Sequence, residues 1–318
     1  MKATRLRVPL PDGAHRLTAM AGGLLLVTPR YDSASQVWDL DEGAWRAPLA
    51  GELLATSPDG RWVALAAGRD ERLEVRAVGD GALAFRDETA GSGYRARRAA
   101  FSGDSSTVAW CTRNSYWDHG LGFIARFADG ASAPPVEYAA EAGQPDTLGV
   151  DLTGARVASE ERGAIDLVDV ATRRLSPAVE TGESVLALWV RPDGVVLART
   201  ATGAVLRCAP GVDVRATTLA DRGAVEPTGR ALLLGAWVEH LDDGRATTLD
   251  GAPAWRDAVW LTGAARLATT DGTAVTLWDA ASGARLGAVD LGRVATMLAL
   301  PDGRLLAGDG PALFLLDS

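Results

Sequence analysis

The chain has 318 residues, 47% of them hydrophobic, which is ample for a core and suits one large domain or two ordinary ones. Its formal charge is -9, and Lys2 is the only lysine beside many arginines. A negative field opposes general binding to nucleic acid or an anionic membrane, while leaving room for a local basic patch.

In chain order, the first predicted element is a strand over residues 5–10, which stands before any repeat unit. A repeat then begins: an apolar strand, a tight turn, a second strand, a third strand and an Asp/Gly turn. The first turn of each unit is read at Ala21-Gly22-Gly23, Ser57-Pro58-Asp59-Gly60, Ser102-Gly103-Asp104 and Leu152-Thr153-Gly154. It returns at Arg191-Pro192-Asp193-Gly194, Glu226-Pro227-Thr228-Gly229, Leu261-Thr262-Gly263 and Leu300-Pro301-Asp302-Gly303. The spacing, roughly 35 to 50 residues, is that of a propeller blade. One blade cannot bury both its faces, so blades must stack.

The units start near Leu17, Leu53, Ala99, Leu148, Val185, Gly223, Ala258 and Thr296. The second is the clearest, with strands over 53–57, 61–67, 73–78 and 82–86. Its inner strands are near-continuous apolar runs, as strands covered on both faces require, and the outer ones alternate. The sixth unit is the shortest, and whether it counts decides between eight blades and seven. The last unit ends after its third strand, so residues 5–10 are expected to supply its fourth and remove an exposed edge. The predicted fold is all-β: a single closed propeller of eight four-stranded blades over residues 1–318, with residues 5–10 paired to the last blade at 295–318.

Two segments resemble the end of the third strand and following turn of WD40 repeats: Val37-Trp38-Asp39-Leu40-Asp41-Glu42-Gly43 and Leu277-Trp278-Asp279-Ala280-Ala281-Ser282-Gly283. Leu167-Val168-Asp169-Val170 is a weaker version, and the Ser57-Pro58-Asp59-Gly60-Arg61 turn is also similar. The resemblance implies a propeller that presents surfaces to other molecules and transfers no catalytic residue. Two features depart from it. The Gly-His pair that precedes such repeats is absent, since the chain has three histidines and Gly13-Ala14-His15 separates the two residues. His240 also stands where Asp39 stands in the first unit. Blade packing is therefore expected to rest on apolar contacts. A rival resemblance, to quinoprotein-type propellers, rests on Asp279-Ala280-Ala281-Ser282-Gly283. Leu286 and Gly287 occupy the place of the tryptophan expected after that turn, and no vicinal cysteine pair exists.

No metal or cofactor is expected. His15, His119 and His240 are isolated, and no Cys-x-x-Cys, P-loop, dinucleotide fingerprint or Gly-x-Ser-x-Gly elbow occurs. Cys111 and Cys208 fall in different units, which argues against a disulfide. The first twenty residues hold no apolar signal core, and no apolar run reaches the length of a membrane span, so the expectation is a cytoplasmic monomer. Carboxylates at Asp59, Asp193, Asp242 and Asp302 lie in turns and are expected to satisfy local backbone donors. Trp38, Trp62, Trp110, Trp189, Trp260 and Trp278 lie in predicted strands and are expected to fill space between blades.

The loops are uneven. Connections between second and third strands are short in units four to eight and long in units one to three, and the connection into unit three, residues 90–98, is long too. These segments contain Tyr31, Arg69, Tyr94, Arg95, Arg97, Arg113, Tyr116, Trp117 and His119, with Tyr138 placed near the same rim. Tyr, Trp and Arg dominate binding hot spots because they combine apolar area with polar reach. The expectation is a non-enzymatic interaction scaffold that binds a protein or peptide over blades one to three. The alternative for these loops is ordinary solvated surface. Arg95, Arg97 and Arg98 read either as an anion site or as ion-pair partners of Asp70, Glu71, Asp87 or Glu88. Two further classes stay open: a small-molecule or enzyme site at the channel mouth using Arg113, Asp118 and His119, and nucleic-acid binding through the arginines.

Overall fold

The computed structural model describes residues 1–8, 10, 15–29, 34–89, 93–114, 120–127, 134–142, 145–220, 223–252, 254–261, 266–309 and 312–317. Every described element is a strand, and the strands form eight sheets, the blades of a β-propeller. The chain divides into two compact units, Met1–Leu49 with Gly223–Ser318, and Ala50–Arg222.

The second unit holds blades two to five. Blade two runs Glu52–Thr56, Trp62–Ala67, Arg72–Ala77 and Leu83–Arg86. Blade three runs Tyr94–Phe101, Thr107–Asn114, Gly120–Arg126 and Val136–Ala142. Blade four runs Thr147–Val150, Arg156–Glu161, Ala164–Asp169 and Arg174–Glu180. Blade five runs Val185–Val190, Val196–Thr200, Val205–Cys208 and Thr217–Ala220. All pair antiparallel in sequence order.

Turn chemistry sets this meander. Asp59 accepts the amide of Arg61 and the hydroxyl of Ser57, and Gly60 takes the left-handed conformation at φ 69°. Asp104, Asp193 and Asp302 cap the amide two residues on in the same way. These carboxylates are structural, as their turn positions suggest. Asp242 instead takes the guanidinium of Arg230 at 2.6 Å.

The core lies between blades. Leu73, Phe85, Trp110, Phe123 and Phe127 pack blade two on blade three. Trp110 stacks on Phe123 at 5.5 Å and 27° and donates its indole N–H to Asp87 at 3.2 Å. Cys111, Tyr138, Leu148 and Val168 join blade three to blade four, and Ile165, Val179, Leu188, Val196 and Cys208 join blade four to blade five. Both cysteines are free and buried.

The first unit holds the remaining blades. Blade one comprises His15–Met20, Leu24–Pro29, Ala34–Asp39 and the short Ala44–Trp45, with Leu49–Ala50 also pairing to its third strand. Blade six comprises Gly223–Val225, Ala231–Leu234, Trp237–His240 and Arg245–Thr248, so the shortest repeat is a full blade and the count is eight. Blade seven comprises Asp257–Leu261, Arg266–Thr270, Ala274–Asp279 and Arg285–Asp290. Blade eight is Thr296–Ala299, Leu305–Asp309, Ala312–Asp317 and, from the other end of the chain, Lys2–Leu6.

The closing strand therefore exists, but over 2–6 rather than 5–10. Its register runs from Lys2 opposite Asp317 to Leu6 opposite Leu313. Pro9 has no amide hydrogen to give a ladder, and the Leu10 amide turns back to the Val8 carbonyl at 2.9 Å. Val8 then buries against Leu300, Leu306 and Leu313. Packing is also not wholly apolar: Trp278 donates to the Thr269 hydroxyl at 2.9 Å and Trp260 to the Ala224 carbonyl at 3.1 Å.

Candidate functional site

The connection between the second and third strands of blade two, expected to be long, is instead a tightly wound turn over 68–71, no longer than the one over 201–204 in blade five. Gly68 takes φ 73° and Glu71 takes φ 48°, a left-handed conformation that is uncommon for a residue with a Cβ. The turn closes with the Glu71 amide on the Gly68 carbonyl at 3.3 Å. The Glu71 carbonyl accepts the Ala96 amide at 2.8 Å, which fastens the turn to the first strand of blade three.

That strand carries three arginines in four positions. Glu71 receives Arg95 at 2.9 Å and lies 3.3 Å from Arg97. Arg98 turns elsewhere, donating to the Asp146 carbonyl at 2.8 Å and the Arg97 carbonyl at 3.0 Å. Arg72 reaches the Asp87 carbonyl at 3.4 Å and lies 3.9 Å from Glu88. Ion pairing thus holds for Arg95 and Arg97, and Glu71 is the acid that supplies it. On the neighbouring strand Arg113 stands directly opposite Arg95, and Asn114 opposite Tyr94. Arg69 and Arg113 are exposed and Tyr94 is half-buried.

Four of the expected site residues are placed differently from the loop reading. Tyr94, Arg95 and Arg97 belong to a strand that starts at Tyr94, not near Ala99. Arg113 likewise lies within the second strand of blade three. A cluster of arginines beside Gly and Ser reads as loop, but Ala96 between them is buried, and a bulge between Ala96 and Arg98 absorbs the break in alternation. Tyr31, Tyr116, Trp117 and His119 lie outside the described residues, as does Asp118.

Tyr138 is not on the rim. It is buried, and its ring lies 2.6 Å from where a Cβ on Gly122 would stand, so glycine is required beneath it. Burial pushes the phenol far above its ordinary value, with the neighbouring Cys111 adding to the effect. Burial likewise pushes the Cys111 thiol up to about 11 and the Cys208 thiol up to about 12. Both stay protonated at neutral pH, and the thiolate is the reactive form.

Two features escaped sequence reasoning. Trp237 opens the third strand of blade six and is half exposed, while Trp255 donates its indole N–H to the Gly235 carbonyl at 2.5 Å. Trp237 directly after the two-residue turn Gly235-Ala236 was the available signal, and nothing local links it to Trp255. In blade four Glu160 is buried; one oxygen accepts the Gly163 amide at 2.8 Å and the other has no partner among the described residues. Burial, with Asp146 and Glu161 nearby, raises its carboxyl above the ordinary range. Among the described residues no group of three or more His, Cys, Asp or Glu side chains could hold a metal ion, and no helix is long and apolar enough to cross a membrane.

No family model matches the chain, and no curated protein matches it. A solved structure of similar fold is Kuenenia stuttgartiensis hydrazine synthase, with a TM-score of 0.51 and 13% identity over 99% of this chain and 98% of that one. At that identity the likeness carries the fold: an eight-bladed β-propeller.

Proposed function

We propose that the protein is a cytoplasmic, non-enzymatic, WD40-like scaffold that holds a protein or peptide partner on the rim over blades one to three. The observation that carries this reading is the length of blade three. Its first two strands have 8 residues each, against 5 and 6 in blade two, 4 and 6 in blade four, and 6 and 5 in blade five. The turns at the opposite end are equivalent, because Ser57 bonds Trp62 as Ser102 bonds Thr107. The extra residues therefore extend one end, by about 7–10 Å at the usual rise per residue. That end carries Tyr94, Arg95, Arg113 and Asn114 on paired backbone, so little entropy is lost when a partner docks. Turn carboxylates engaged by their own backbone and two protonated thiols support a binding rather than a catalytic role.

The test is partner capture followed by mass spectrometry, with wild type beside Tyr116→Ala/Trp117→Ala and Arg69→Ala/Arg113→Ala. A protein held by wild type and lost from folded variants is the expected result. Full capture by both folded variants rejects this rim as the binding surface.

A further inference from the structure

We infer that the blade-three end of the rim binds carboxylates, that Glu71 fills this role internally in the free protein, and that the partner segment is an acidic peptide. The inference rests on the scaffold reading above.

Arg95 and Arg113 face each other directly across two strands, a pairing that costs stability unless an anion lies close. The acid observed there is Glu71, and Arg95 and Arg97 share it. Each guanidinium has five donors in a fixed fork suited to a carboxylate, so one carboxylate leaves most of that capacity unused. The Glu71–Arg97 approach is an ion pair without an aligned hydrogen bond, since the facing oxygen of Glu71 has no hydrogen-bond partner among the described residues. Arg69 and Asp70 add one charge of each sign on the same turn. Arg95 and Arg97 thus carry one more positive charge than the single Glu71 they share, on a chain of charge -9.

Glu71 reaches its position only in a left-handed conformation, held by the Gly68 turn and the Ala96 amide. The Glu71, Arg95 and Arg97 side chains are 33%, 42% and 39% exposed, so an incoming carboxylate has access to the same donors. A peptide carboxylate is favoured over a phosphate chain because the guanidiniums already hold a carboxylate, with Arg95 on Glu71 at 2.9 Å.

Fluorescence anisotropy on the full chain tests this with a labelled oligoglutamate peptide, the matching oligoglutamine, and oligothymidylate. Oligoglutamate should bind with steep salt dependence and oligoglutamine should not. Arg113→Ala and Arg95→Ala should each weaken binding about tenfold. Glu71→Gln should tighten it several-fold by removing the internal competitor. Glu71→Gly, which suits the left-handed backbone, serves as the second variant should the amide disturb the turn. Equal binding of the two peptides, unchanged or weaker binding in both Glu71 variants, or tighter binding of oligothymidylate overturns the inference. If natural partner capture depends on Tyr116 and Trp117 while oligoglutamate fails to bind, the scaffold reading stands and the acidic-partner assignment falls.

Discussion

At the scale of single residues, Gly122 shows how closely two neighbouring strands of blade three are fitted. A Cβ there would stand 2.6 Å from the Tyr138 ring, and Tyr138 is buried among Cys111, Ile124 and Leu148. Gly122→Ala is expected to cost about 1–3 kcal/mol by overpacking, and Tyr138→Leu in the same chain should recover part of that loss, a coupling that chemical denaturation measures. Glu160 is the opposite kind of residue, a buried acid with one satisfied oxygen. Its folded pKa is raised by burial, so the folded state binds more protons than the unfolded state above the ordinary glutamate range. Stability contributed by Glu160 is therefore greatest at low pH and falls as pH rises through the shifted value. Glu160→Gln should stabilise the fold at pH 8 by on the order of 1 kcal/mol, read as a higher melting temperature, with the advantage vanishing near pH 4. A constant difference across that range would refute the assignment.

At the scale of elements, the turns decide where strands begin and end. Asp279 accepts the hydroxyl and amide of Ser282, and Asp169 the amide and hydroxyl of Thr172, so both carboxyls sit below their ordinary range. Burial pushes Asp39 up, but amides of Glu42 and Asp41 and the Arg46 guanidinium outweigh it. These turns are local, and their Asp, Ser, Thr and Gly residues announce them in the sequence. Blade three is the contrary case. Its first strand begins five residues before the expected start near Ala99 because Arg113, Thr112 and Cys111 are available to pair with it, and because Glu71 neutralises arginines that would otherwise repel. Neither partner is a sequence neighbour of the strand. The same reasoning explains Trp237, which reads as a turn residue but pairs with Leu234 and Thr248.

At the scale of the whole molecule, the two ends of the chain meet in one sheet, through Lys2–Leu6 and Ala312–Asp317. Removing residues 1–6 leaves the last strand of blade eight with an unpaired edge, which invites association as well as unfolding. The expected result is a melting temperature lower by on the order of 5–10 °C and concentration-dependent aggregation. An unchanged melting temperature would refute a closing role. The sequence by itself determined the all-β class, the eight repeats, the first turn of every blade but the seventh, whose Thr262-Gly263 lies outside the described residues, the need for an N-terminal strand in the last blade, and the two unpaired cysteines. It did so because apolar period, turn chemistry and repeat length are written within a few dozen residues. Only the tertiary structure decided which acid answers Arg95 and Arg97, that Arg113 faces Arg95, that Tyr138 is core rather than rim, and that the closing strand lies at 2–6. Those outcomes depend on pairing register and on side chains brought together from different blades, and free energies of contact between distant segments leave no local pattern to read.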